Sequence, residues 1–330
     1  MADASRRATG PIELERQVNA LLQRRVPSDM WCALTLDPAT GDQTGGYHEE
    51  GFPLDRMARL LELEHDGDVA TMRDLAASGA RAVTLQEVTH GRPSSSARYR
   101  DVLEPSGVRH ELRALFRGEA GAWGALVLMR EQKAFEADEL ALVGSVSETV
   151  AEGLRRATLL GKVPPESDES PGLVIFSVDD VVSVDHCTAR ARQWLNEIDD
   201  GVEGGMPYAV LSLAHATRSA VAPQRRVRLR TRAGRWLTLH ATRLGPSTVS
   251  VILEPARPKE IAELLIDAVR LTPREREVTG LAVRGLTNAQ IGAALFLSPY
   301  TVNDHLKSVF TKTGVAGRTE LAAKLYFDHA

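Results

Sequence analysis

Residues 285–315 read GLTNAQIGAALFLSPYTVNDHLKSVFTKTGV, and the punctuation of this stretch decides how the C-terminal part of the chain folds. Ser298 offers a side-chain oxygen to the first free amides of a helix, and Pro299 suits the first helical position because its φ is preset and it has no N–H to satisfy. The helix so started is expected to run from Pro299 to Thr313 and to stop at Gly314, which tolerates the left-handed conformation of a helix end. At about 100° per residue, Val302, Leu306, Val309 and Phe310 cluster on one side, with His305 at the border. Tyr300, Asp304, Lys307, Ser308 and Thr311 fall opposite, with Asn303 at the flank. One face is core, and the other is polar and free to form hydrogen bonds.

The flanking sequence repeats the pattern. Upstream, Asn288 is expected to cap a short helix carrying Ile291 and Leu295 one turn apart, with Phe296-Leu297 forming the turn into Ser298. Before that, Thr272-Pro273 is a second cap-plus-proline start, and Glu275 stands where a capping box places its acid. Val278, Leu281 and Ala282 line one face of this first helix before Gly285 ends it. Downstream, a fourth helix is expected from about Arg318 to Phe327, with Leu321, Ala322 and Leu325 on one side. Short helices with a tight turn between the second and third make a helix-turn-helix. The polar face of the third helix suits a major groove, where Asn can pair with adenine, Lys with guanine, and Asp can accept from cytosine N4. The bland alternatives are a small helical bundle and, for Asp304, a solvated carboxylate that phosphates would repel.

The string LTPREREV…GLTNAQIG..LFLSPYTVNDHLKSVFTKTGV…R, residues 271–318, resembles the LuxR/FixJ-type helix-turn-helix family over roughly sixty residues. The resemblance implies a four-helix DNA-binding domain whose third helix reads bases and whose fourth helps dimerisation. Carried onto this sequence, it implies that Asn303, Asp304 and Lys307 meet bases. Thr287, Asn288, Ser298, Tyr300, Thr301 and His305 are implied at the DNA backbone, and Leu321 and Leu325 at a dimer seam. Where many members carry Lys after the Asn of the second helix, this chain has Ala289, so one phosphate contact is missing. Arg318 reads better as an anchor between helices than as a DNA contact.

Charge is distributed in the same sense. The chain of 330 residues carries a formal net charge of −4, but from Ala268 onward eight basic residues face five acidic ones, a surplus of three that leaves about −7 on the remainder. A mildly basic tail behind an acidic body suits a nucleic-acid module attached to something that should not bind nucleic acid. The two cysteines, Cys32 and Cys187, lie far apart, which argues against a disulfide framework and a cysteine-rich zinc site. Cys32, beside Trp31 on a strand-like run, reads as a buried core thiol. No run of apolar residues suggests a signal peptide or a membrane span, so a soluble cytoplasmic protein is expected.

The rest of the chain divides at Lys162–Gly172 (KVPPESDESPG), a Pro-, Ser- and acid-rich linker candidate, and again near Pro255 and Pro258. An N-terminal helix is expected within residues 1–24, followed by a sheet module over 25–161, a second over 171–254, and the helical module over 262–330. The fold class is therefore α+β: two antiparallel-sheet modules, then an all-α four-helix domain. Strands are expected at Trp31–Leu36, Val108–Phe116 and Ala122–Met129, and one long helix from about Glu136 to Leu160 whose near-heptad spacing could form a dimer seam. The strand WGALVLMRE (123–131) and the helix FEADELALVGSVSETVAEGL (135–154) resemble a GAF domain. GLVIFSVDDVVSVDHCTARARQWL (172–195), with three closing strands, resembles a PAS-type module.

Catalytic signatures fail on inspection. Gly161-Lys162 lacks the upstream glycine and the following Ser or Thr of a phosphate loop, and His48-Glu49 lacks the second histidine of a zinc helix, since position 52 is Phe52. Asp179-Asp180 reads as a hairpin turn and not as a phosphoacceptor pair. No metal or cofactor is specified by the residues. The expectation is a homodimeric, sequence-specific transcription regulator on double-stranded DNA, with small-molecule binding allowed in either sheet module. The alternative from another class is a signal-binding module with weak or conditional DNA binding.

Overall fold

A computed structural model describes residues 10–48, 56–65, 67–119, 121–159, 170–178, 182–198, 205–257, 260 and 271–322. They belong to two compact units, residues 1–255 and 256–330. The Asp179-Asp180 turn, most of the 162–172 linker, Pro258 and Leu325 lie outside the described residues.

The first unit opens with helix α1 (Pro11–Leu22), hairpin strands β1 (Met30–Leu36) and β2 (Gln43–His48), and helices α2 (Met57–His65) and α3 (Met72–Ser78). Strand β3 (Ala82–Thr84), the short helix α4 (Leu85–Val88), and strands β4 (His110–Gly118) and β5 (Gly121–Arg130) follow. The sheet is antiparallel throughout, in the order β2-β1-β5-β4-β3. Strand β5 is buried without a break from Trp123 to Arg130, because both faces of the sheet are covered. On one face Cys32, Leu115, Val127 and Met129 join Met57, Leu61, Met72 and Leu75 of α2 and α3 in one core. On the other, α6 (Ser147–Leu159) presses so closely that a Cβ at Gly124 would stand 2.5 Å from Leu154 Cδ1.

The expected single helix over 136–160 is two helices, α5 (Ala137–Ser145) and α6, parted at Val146. The reason is Ser147, whose buried hydroxyl donates to the Leu115 carbonyl at 2.7 Å and accepts from the Arg117 amide at 3.0 Å, tying the helix start to β4. Cys32 is buried, and burial pushes its thiol up to about 12 against the opposing pull of Arg113, so it is inert core.

The second sheet contains β6 (Gly172–Val178), β7 (Val182–Cys187), β8 (Gln224–Arg230), β9 (Trp236–Arg243) and β10 (Thr248–Pro255), with α7 (Ala189–Glu197) and α8 (Tyr208–Ser219) between β7 and β8. Its order, β7-β6-β10-β9-β8, repeats that of the first sheet strand for strand. Here one face alternates as an antiparallel strand should: Val174, Phe176 and Val178 point into a core with Trp194, Val210 and Leu213. Helix α8 was not legible in the sequence, since residues all around it are buried and leave no amphipathic period.

The two sheet modules form one unit: Tyr208 and Leu211 of α8 pack into the first core, and polar and charged contacts cross the seam. Asp37, fully buried, holds Arg228 through its two oxygens at 3.2 Å each and also accepts from the Arg228 amide. Asp42 pairs with Arg225 at 2.5 Å, Glu62 with Arg218 at 3.1 Å, and His65 Nε2 meets Ser212 Oγ at 2.9 Å. No helix among the described residues is long and apolar enough to cross a membrane.

Candidate nucleic-acid interface

The second unit is built from α9 (Pro273–Val283), α10 (Asn288–Leu295), α11 (Pro299–Thr313) and α12 (Arg318–Ala322). Its core is small, centred on Val278, Ala282, Ile291, Val302 and Leu306, with Val309 and Leu321 also fully buried. At ~1.5–3 kcal/mol for each fully buried Val or Leu, such a core needs help from its caps and ion pairs.

The caps supply it. Thr272 Oγ1 accepts from the Glu275 amide at 3.2 Å while Glu275 returns to the Thr272 amide at 2.7 Å, the reciprocal box expected from the sequence. Helix α10 is capped by Thr287 and not by Asn288: Thr287 Oγ1 accepts from the Gln290 amide at 3.3 Å, and Gln290 completes the box. The expectation missed this because Asn is an equally good cap, and only the Gln three residues after Thr287 distinguishes the two. Ser298 caps α11, accepting from the Thr301 amide at 3.1 Å, and Gly314 closes it at φ +67°.

The turn between α10 and α11 is tight. Phe296 takes the left-handed conformation at φ +57°, and its side chain is 95% exposed. Gly292 allows the close return of the chain, since a Cβ there would stand 2.5 Å from the Leu297 carbonyl oxygen.

A lock then fixes α11 on α9. Glu275 is buried and receives Lys312 Nζ at 2.7 Å and the Ser308 hydroxyl at 2.6 Å. Burial works against its charge, but these bonds and the Thr272 amide outweigh it and hold the carboxyl at about 2. Ser308, placed by the sequence on the open polar face, is therefore half-buried and committed to Glu275. The sequence does not show that Ser308 and Lys312 meet Glu275, because a contact between α9 and α11 leaves no local signal.

What α11 leaves outward is a stripe. Tyr300, Asp304, Lys307 and Thr311 are spaced by four, three and four residues, Asn303 flanks them, and all are exposed. Among the described residues, Asn303, Asp304 and the Lys307 ammonium have no hydrogen-bond or ion-pair partner, so their polar ends are available to a ligand. Thr287, Ser298 and Thr301 are exposed at helix starts, and His305 is half-buried beside the stripe. Asn288 stands apart: its side-chain oxygen accepts from Arg318, which also donates to the Leu286 carbonyl. Arg318 is thus the interhelical anchor. Leu321 is fully buried within its own unit and supplies core, not free surface. Among the described residues no group of three or more His, Cys, Asp and Glu side chains could hold a metal ion.

Comparison with known proteins places this geometry. Residues 269–325 match the family described as bacterial regulatory proteins, luxR family. The spore germination protein GerE of Bacillus subtilis is 42% identical over 55 residues, which are 17% of this chain and 74% of GerE. The HTH-type transcriptional regulator Mb0914c of Mycobacterium bovis is 49% identical over 51 residues, 16% of this chain, so the chain spans only 6% of that relative's length. A solved structure, SdiA in complex with octanoyl-rac-glycerol, aligns over 100% of this chain and 94% of that one at 12% identity, with a TM-score of 0.35.

Proposed function

This chain belongs to the luxR family of bacterial regulatory proteins, and from that premise we propose that it is a sequence-specific DNA-binding transcription regulator, not an enzyme, in which α11 reads bases in the major groove. The observation that carries the reading is the exposed stripe Tyr300, Asn303, Asp304 and Lys307 on a helix locked from behind by Glu275. Asn303 pairs with adenine, Lys307 with guanine, and Asp304 accepts from cytosine. Thr287, Ser298, Thr301 and His305 approach phosphates, while Asn288 acts through Arg318 and positions the start of α10.

Upstream, the GAF-like and PAS-like modules act as sensors in a cytoplasmic homodimer and set the separation of the two α11 helices. For a dimeric helix-turn-helix regulator, half-sites about one helical turn apart, ~34 Å, are expected. With Ala289 in place of a basic residue, affinity leans on the dimer, and Leu325 is the residue left to line a C-terminal seam.

Selection from a pool of random duplex DNA with the full chain tests the reading. A consensus with two related half-sites is expected, with an affinity that falls linearly in log salt. Recovery of no consensus, with equal affinity for all duplexes, contradicts it.

A further inference from the structure

A cleft of about 330 Å³ opens in the first unit where the 37–43 loop, the end of α2, α3 and the β4–β5 hairpin meet α8 of the second sheet. Its size is that of a small-molecule site. Leu34, Leu36, Met72 and Leu115 give it an apolar lining.

Its charges are unevenly matched. Two carboxylates line it, and each already has a cation: Asp42 with Arg225 at 2.5 Å, and Glu64 with Arg113 at 2.6 Å. Two arginines, Arg73 and Arg117, line it as well, and among the described residues neither has a carboxylate partner. Arg117 spends one N–H on the Ala76 carbonyl at 3.1 Å, which leaves most of its fork unused. His65, whose pKa burial lowers, meets Ser212 at the seam.

We propose that this cleft binds a small organic acid with an apolar body, its carboxylate held by Arg73 and Arg117. Guanidinium groups suit this task because their planar fork matches a carboxylate. Ser212 of α8 also lines the cleft, so the occupant lies beside the His65–Ser212 contact. The inference rests on the sensor reading of this unit and names the class of signal it takes.

Calorimetry on the full chain, without DNA, tests it with indole-3-carboxylate and its neutral counterpart indole-3-carboxamide. One saturable site per chain is expected for the acid, with the amide at least tenfold weaker. The Arg73→Ala/Arg117→Ala variant should bind the acid no better than the amide, while its melting curve matches the parent. Should the double variant fail to fold, the exposed single change Arg73→Gln carries the test, with a severalfold loss for the acid alone. No saturable binding of the acid, equal binding of acid and amide, or undiminished acid binding in the folded variants overturns the proposal. Because DNA is absent, any of these leaves the reading of α11 standing.

Discussion

Lys312 and Glu275 are joined by an ion pair of 2.7 Å that fastens the outward-facing helix α11 to the first helix of its domain. Glu275 also closes the capping box of α9, so one buried carboxylate serves both the start of one helix and the seat of another.

Removing that carboxylate should be felt in stability and in pH dependence. Glu275→Ala removes the carboxylate that receives Lys312 and Ser308 and is expected to cost the domain about 1.5–3 kcal/mol, read by calorimetric melting. Its carboxyl is held at about 2 against an ordinary 4.5, so its contribution is complete above about pH 4.5 and is lost as pH falls toward 2. The parent should therefore lose stability more steeply than the variant over that interval. Equal slopes would show that the ion pair contributes nothing.

Two glycines of the same domain should respond oppositely to one change. Gly280→Ala meets nothing within 4 Å in the middle of α9, and gains up to ~1 kcal/mol of helix propensity. Gly292→Ala places a methyl 2.5 Å from the Leu297 carbonyl oxygen, where the backbone of the turn must move, at a cost of ~1–3 kcal/mol. Melting temperatures of the two variants should move apart, and only the second should weaken DNA binding.

Phe296 offers a gain in stability. Its left-handed backbone is one that Asn adopts more readily, and its exposed ring leaves few contacts to lose. Phe296→Asn is expected to raise stability by about 1 kcal/mol in denaturant unfolding. An unchanged or lower midpoint would mean that the ring is held by contacts within the fold.

At the seam of the sheet modules, Arg228→Ala takes the guanidinium from the fully buried Asp37 carboxylate and leaves it the amides of Ala39 and of residue 228. Breaking a buried pair from one side costs about 3–5 kcal/mol, and the unit spanning residues 1–255 should melt earlier or in two steps. A melt like the parent's would show that the seam does not depend on this pair.

The C-terminal domain was legible because its signals are local. Caps, prolines and glycines lie within four residues of the helices they bound, and the stripe on α11 follows from helical period alone. Long-range contacts escaped: Asp37 and Arg228 are 191 residues apart, and Glu275 and Lys312 are 37 apart. Val146 was read as mid-helix because Ser147 Oγ, which ties the helix to β4, looks like any serine in a polar face. Helix α8 lacked a polar face to reveal it. The strands β1, β4 and β5 were legible within two residues at each end, whereas β2, with two glycines in QTGGYH, carried no alternation to read.

The central claim is that α11 reads bases, and the most direct test is the affinity of Lys307→Ala for the selected site and for that site changed one base pair at a time. The variant should lose about 1–3 kcal/mol on the selected site and stop discriminating at one base pair, keeping its preferences elsewhere. A uniform loss on every duplex, with all preferences intact, would make Lys307 a phosphate contact and contradict the assignment.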